Sequence, residues 1–281
     1  MKKMTNTMII AVAVIISFCF ASCNNIRGNG DVITIEENMS QFDGLSVHSV
    51  FDVTIHHSDT YKVIIEAESN IMPYIITEVK GKTLTLKMKP KVCFNSFKDI
   101  RVAVYCKNLE EIQSSGAGNI FAEEIICINK LDISTSGASD IEITKINECK
   151  NIKLGISGSG KIKIGNAVCD ACDIKLSGAG NCNVNDLITK DLNAVISGAG
   201  DISLAGECNS AEVKLSGAGK YSAYDFTTDK YNINISGAGD AMLTVNEELK
   251  VRISGVGNVY YYGNPQLDVS TSGVGRVICK N

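Results

Sequence analysis

The phrase Ser-Gly-Ala-Gly, with small variations, begins at Ser115, Ser136, Ser157, Ser177, Ser197, Ser216, Ser236, Ser254 and Ser272, at intervals of 21, 21, 20, 20, 19, 20, 18 and 18 residues. A fixed punctuation mark at a period near 20 restricts the chain to a solenoid, in which each repeat is one turn of a stack. Counted from the motif serine, the residues one and three places before it are mostly apolar, as in Ile174 and Leu176 or Val251 and Ile253. Those five and seven places after it are mostly apolar too, as in Ile162 and Ile164 or Ile202 and Leu204. Alternation of period two on both sides predicts two short strands flanking each motif and facing one interior. A third apolar point falls near Cys127, Cys149, Cys169 and Cys208. At about 3.3 Å per residue a turn has a perimeter of about 66 Å, enough for two or three faces.

The motif glycines admit two physical roles. Either they turn a corner, using the positive φ that glycine reaches cheaply, or they lie in a straight strand where another backbone approaches closely. The residue four places after each serine is polar throughout: Asn119, Asp140, Lys161, Asn181, Asp201, Lys220, Asp240, Asn258 and Arg276. No two consecutive members carry the same charge, as a parallel stack requires, because like charges about 5 Å apart repel. The same register fits once before the first motif, with His48 in the serine place, Val47 before it, and Val53 and Ile55 after it. Residues 31–110 therefore read as a less regular N-terminal β region, continuous with the stack or capping it, with a single helical turn over residues 70–74. Residues 111–281 read as the repeat solenoid. The run Tyr260-Tyr261-Tyr262 and the terminal Cys279-Lys280-Asn281 are expected to close its far end.

The first residues read as a targeting segment. Lys2 and Lys3 precede a mostly apolar stretch from Met8 to Phe20, and Phe20-Ala21-Ser22-Cys23 ends it with small residues before a cysteine. That run is short for a membrane span and fits a signal peptide over residues 1–22. Its last four residues resemble a bacterial lipobox, with Phe20 where leucine is more usual. The resemblance implies cleavage before Cys23 and lipid attachment at Cys23, with residues 23–30 as a tether. Acyl chains contribute about 0.8 kcal/mol per buried methylene, so several of them anchor a protein stably.

The chain has 27 Lys+Arg against 31 Asp+Glu, a balance that offers no electrostatic footprint for nucleic acid. Of its 11 cysteines, Cys19 leaves with the signal and Cys23 is acylated, so nine remain. Cys127, Cys149, Cys169 and Cys208 lie 12, 13, 12 and 11 residues after their motif serines. They read as stacked, buried thiols. Some disulfide pairing is the alternative in an oxidising compartment. Only Cys169 and Cys172 have a metal-type spacing, and no second pair follows.

The lipobox-like start, Phe42-Asp43-Gly44-Leu45, Phe51-Asp52-Val53-Thr54-Ile55 and the serial glycine motifs resemble one family: putative autotransporter adhesin, head GIN domain, found in bacterial lipoproteins. The resemblance covers roughly residues 40–275. It implies a right-handed parallel β-helix in the cell envelope and supplies no catalytic residues. The repeats reach residue 276 and leave no stretch for a membrane-embedded barrel, so lipid rather than a barrel is expected to hold the protein.

Since β-helices include polysaccharide lyases and hydrolases, a carbohydrate-active enzyme is the alternative reading. Such chemistry needs paired carboxylates, or a base, at a shaped groove. Asp140, Asp201 and Asp240 lie two or more turns apart on an outward ladder and read as solvated. The serine motif recurs nine times without a paired histidine, unlike a nucleophile elbow. It lacks the Lys and Ser/Thr of a phosphate loop. Asp52, His56, His57 and Asp59 could gather a metal, but a polar strand end explains them better. No catalytic residue, metal or cofactor is assigned. Tyr260, Tyr261 and Tyr262 are the candidates for ligand binding, with cap and core packing as the competing explanation and Tyr261 at an inward position. The sequence thus points to a lipid-anchored, non-catalytic β-solenoid that binds a glycan or an envelope or extracellular protein, or serves as a scaffold. With no acidic run after Cys23, the periplasmic face of the outer membrane is favoured over the cell surface.

Overall fold

A computed structural model describes residues 24–147 and 149–281; the segment expected to be a signal peptide and Cys23 lie outside the described residues. The molecule is a parallel β-solenoid. Strands Lys161–Leu176, Asn181–Ile196, Ile202–Leu215, Tyr221–Ile235 and Ala241–Ile253 each run from one glycine motif to the next and pair in parallel with their successor. In Lys161–Leu176 the core takes Ile162, Ile164, Ala167, Cys169, Cys172, Ile174 and Leu176. Inward residues of a flat strand are two apart, so the two steps of three mark bends. Each turn therefore has three sides, and the glycine motif forms the remaining corner.

The glycine requirement at that corner matches neither sequence expectation fully. None of the motif glycines takes a positive φ. A Cβ on Gly178 would instead lie 2.0 Å from the carbonyl oxygen of Gly158, one turn below, and one on Gly180 would lie 2.0 Å from that of Gly160. The missing side chain would point along the stack into the neighbouring backbone, so the corner bends and is closely approached at once. Conformational freedom matters at Gly206, whose φ is +121°. There the 19-residue turn drops a residue against its 20-residue neighbour, and the register shifts between Val184 and Leu187. The alanine of the motif faces solvent, as Ala179 does. Ala179→Asp is accordingly expected to change stability by no more than about 0.5 kcal/mol, the usual range for surface substitutions, with thermal melting as the check.

The polar column four places after each serine does more than avoid repulsion. The side-chain oxygens of Asp140, Asn181, Asp201 and Asp240 accept backbone N–H groups from Lys161, Asp201, Lys220 and Asn258 on the next turn, at 3.0, 3.1, 2.8 and 2.7 Å. The bend in the chain leaves these donors to be satisfied by a side chain.

Val47 lies beside Ser114, so His48 occupies the place of the motif serine in the first turn, and Phe51–His57 extends it along the next side. Below that turn, Thr83–Met88 and Ile100–Cys106 pair in parallel with Gly44–Val47 and Phe51–His57. Asn24–Arg27 and Val92–Ser96 pair in parallel as a separate two-stranded sheet. Three other N-terminal strands run antiparallel: Lys62–Glu68 on Ile100–Cys106, Val32–Asn38 on Lys62–Glu68, and Ile75–Lys80 on Thr83–Met88. They cover one end of the stack. The helical turn expected over residues 70–74 is a 3-10 turn, Met72–Tyr74.

Two expectations are corrected. The C-terminal end is open rather than closed by its tyrosines. Leu267 and Val269 stand in inward columns but are 48% and 42% exposed, because no layer of described residues lies above Gln266–Thr271. Tyr261 is buried within its own turn and caps nothing. The stacked-thiol reading also fails for one pair: Cys127 and Cys149, on adjacent turns with Cα atoms 5.0 Å apart, form a disulfide. Cys106, Cys169, Cys172, Cys182 and Cys208 are buried thiols. Burial pushes Cys106, Cys182 and Cys208 up to about 12. The folded chain thus keeps protons that the unfolded chain releases above about pH 8.5. The resulting contribution to stability is complete below that pH and is lost as pH rises towards 12. Denaturation midpoints are expected to fall across this window, and to fall less when Cys182 is replaced by alanine.

Candidate functional site

The three histidines and their acidic neighbours do not converge. Asp52 accepts the backbone N–H of Asn119 at 3.0 Å, His56 stacks on Tyr105, His57 bonds the Lys107 carbonyl at 2.8 Å, and Asp59 pairs with Lys107 at 3.1 Å. Among the described residues, no three His, Cys, Asp or Glu side chains are placed to share a metal ion. Cys169 and Cys172 meet in the core, where the hydrogen bond to Cys169 and then burial push the Cys172 thiol well up. Asp140, Asp201 and Asp240 each hold the next turn's backbone through Oδ1 and stand two or more turns apart in the stack, so no two of them face each other as a carboxylate pair.

The candidate tyrosines separate by face. Tyr261 points inward. Tyr260 and Tyr262 point outward, and Tyr262 is 42% exposed. Tyr262 meets Tyr224 two turns away, with ring centroids 5.0 Å apart. The link is possible because the intervening residue in that outward column is the small Thr244, paired with Tyr262 and bonded to the Tyr224 carbonyl at 2.7 Å. Lys280 lies 5.1 Å from the Tyr260 ring centre. Partial burial raises the Tyr224 phenol, with the neighbouring Tyr262 and Tyr260 adding to the effect, so the Tyr224 hydroxyl stays a protonated donor at neutral pH. Tyr224, Tyr260 and Tyr262 thus form a rigid aromatic strip, carried on three-sided turns rather than on loops. The period placed Tyr260 and Tyr262 outward, but only the stack brought Tyr224 against Tyr262.

A second feature corrects the expectation that the serine motif has no paired histidine. His48 Nδ1 lies 2.6 Å from Ser115 Oγ, and its Nε2 lies 3.1 Å from Ser46 Oγ. The pair sits at the head of a groove of about 340 Å³ that runs past Ser136, Gly155 and Ser157 to Lys175. One signal in the sequence could have found it: His48 holds a motif-serine register position, and the motif repeats directly above it.

The family model described as "Putative auto-transporter adhesin, head GIN domain" matches residues 41–205 and 170–265. A search of curated proteins finds no match. Among solved structures, the chain resembles a "putative adhesin" from Parabacteroides merdae ATCC 43184 at 24% identity and TM-score 0.71. The match covers 92% of this chain and all of the other. A "putative lipid binding protein" and a "putative adhesin" from Parabacteroides distasonis ATCC 8503 match at 22% and 20% identity, with TM-scores 0.69 and 0.68 and the same coverage. At these identities the structures attest the fold.

Proposed function

We propose that this chain, which belongs to the putative auto-transporter adhesin, head GIN domain family, is a non-catalytic, adhesin-like binding protein of the cell envelope, anchored by lipid on Cys23. The observation that carries the binding reading is the aromatic strip. Tyr224, Tyr260 and Tyr262 present apolar area and hydroxyls together on a rigid wall, as surfaces for glycan or protein contacts do. A non-catalytic role is supported by the use made of the ladder carboxylates, which hold backbone N–H groups. The anchor rests on the sequence around Cys23, and the outer membrane, periplasmic side, on the lack of an acidic run after it.

Two measurements test this. Glycan-array and pulldown screens with the full chain should recover a ligand whose binding falls at least tenfold in a Tyr224→Ala, Tyr260→Ala, Tyr262→Ala triple variant. Labelled palmitate should enter the wild type and not Cys23→Ala. Degradation of a polysaccharide by the purified protein would overturn the non-catalytic reading, and binding that survives the triple variant would overturn the strip.

A further inference from the structure

Gly155 is unlike the corner glycines. It lies inside the strand Asn151–Ile156, between Ser134 below and Lys175 above. A Cβ there would meet only the Ser134 Cβ at 3.6 Å and the Ile133 oxygen at 3.9 Å, both ordinary contacts, and its φ is not left-handed. Packing does not ask for a glycine, and one in a strand interior weakens the strand. In the same outward column the next turns carry Lys175, Val195, Lys214 and Asn234. The missing side chain instead forms the floor of the groove that begins at His48. Glycine in such a place marks the close approach of a ligand.

The lining names the ligand. Ser115, Ser136, Ser157 and Ser177 place a hydroxyl on four successive rungs, spaced about 4.8 Å apart over about 14 Å, and Ser46 and Ser134 add two more in the Gly155 column. Such groups both donate and accept, matching the hydroxyls of an extended saccharide. No carboxylate lines the groove, and His48 and Lys175 are its ionisable residues. In a chain of formal net charge −4 this is a local reversal. Unlike Lys161, Lys163, Lys190 and Lys214, Lys175 forms no ion pair among the described residues, so its ammonium is open to an incoming anion. The volume of about 340 Å³ falls within the range of small-ligand sites.

We propose that this groove binds an acidic oligosaccharide, its chain laid along the serine column over Gly155 and a carboxylate held by Lys175. The site is separate from the tyrosine strip, and either can fail without the other. The test is calorimetric titration of the full chain, solubilised in detergent, with a galacturonic acid oligomer and with a neutral galactose oligomer of equal length. The acidic oligomer should bind at least tenfold more tightly. Gly155→Val should melt at or above the wild-type temperature yet bind at least tenfold more weakly. Lys175→Gln should bring the acidic oligomer down to the affinity of the neutral one and leave the neutral one unchanged. The tyrosine triple variant should bind the oligomer as wild type does. Absence of wild-type binding, equal affinity for both oligomers, full binding by Gly155→Val, or a lower melting temperature for that variant each overturns the proposal.

Discussion

Gly178→Val is expected to destroy the middle of the solenoid, at a cost of about 4 kcal/mol or more, which is the range reserved for the most damaging substitutions. A Cβ at this position would stand 2.0 Å from the Gly158 oxygen, 2.6 Å from the Ser157 oxygen and 2.8 Å from the Ser157 carbonyl carbon. All three atoms are backbone, and both turns are tied by hydrogen bonds such as Ala179 N–H to the Gly158 oxygen at 3.0 Å. No rotamer can relieve the clash, so the two turns must separate. Stability in a stacked array is a sum of nearest-neighbour interfaces. The damage should therefore split chemical denaturation into two transitions, one for the turns on each side. A single transition with a midpoint near the wild type would show that the stack can open at a corner without loss. Ala179→Asp, one residue away and outward, is the matched control.

Tyr231→Ala should be the most costly truncation in the core. Tyr221 and Tyr231 lie on two sides of one strand and reach across the interior, with rings edge-on at 6.3 Å and hydroxyls 3.2 Å apart. Both are buried, and burial raises both phenols. Emptying an aromatic site costs about 3–5 kcal/mol. The variant also leaves the Tyr221 hydroxyl without this partner, at about 1–3 kcal/mol. Tyr231→Phe keeps the ring and should cost only that second amount. Urea denaturation of the two variants separates the contributions, and equal losses would sink the cavity argument. Because both folded phenols are held above the unfolded value of about 10, their contribution is intact below that pH and declines above it.

Much of this was legible in the sequence. The spacing of Ile162, Ile164, Ile174 and Leu176 placed those side chains inside, and they are buried. The alternating charges of Asp201, Lys220 and Asp240 announced a parallel stack, and the register pairs successive turns in that way. The candidate sites were less legible. Tyr260 and Tyr262 stood out as a run, whereas Tyr224 joins them only through a column two turns deep. His48 was seen in register, but its bond to Ser115, 67 residues away, needed the first turn to be set directly beneath the second. Gly155 is set apart from the motif glycines only by the open space around it.

The amino-acid order by itself determined the turn: its length, its two alternating flanks and the glycine motif that punctuates it. These follow from backbone geometry repeated at a constant interval, so neighbours about 20 residues apart are specified without knowing the fold. Only the tertiary structure decided what the period does not reach. It set the antiparallel cover over the N-terminal end, the open C-terminal end, the link between Cys127 and Cys149, and the reason the corners must be glycine. Each of these depends on which backbone lies against which, and a chain that leaves its repeat between residues 58 and 110 can be placed only by the long-range pairings it finds.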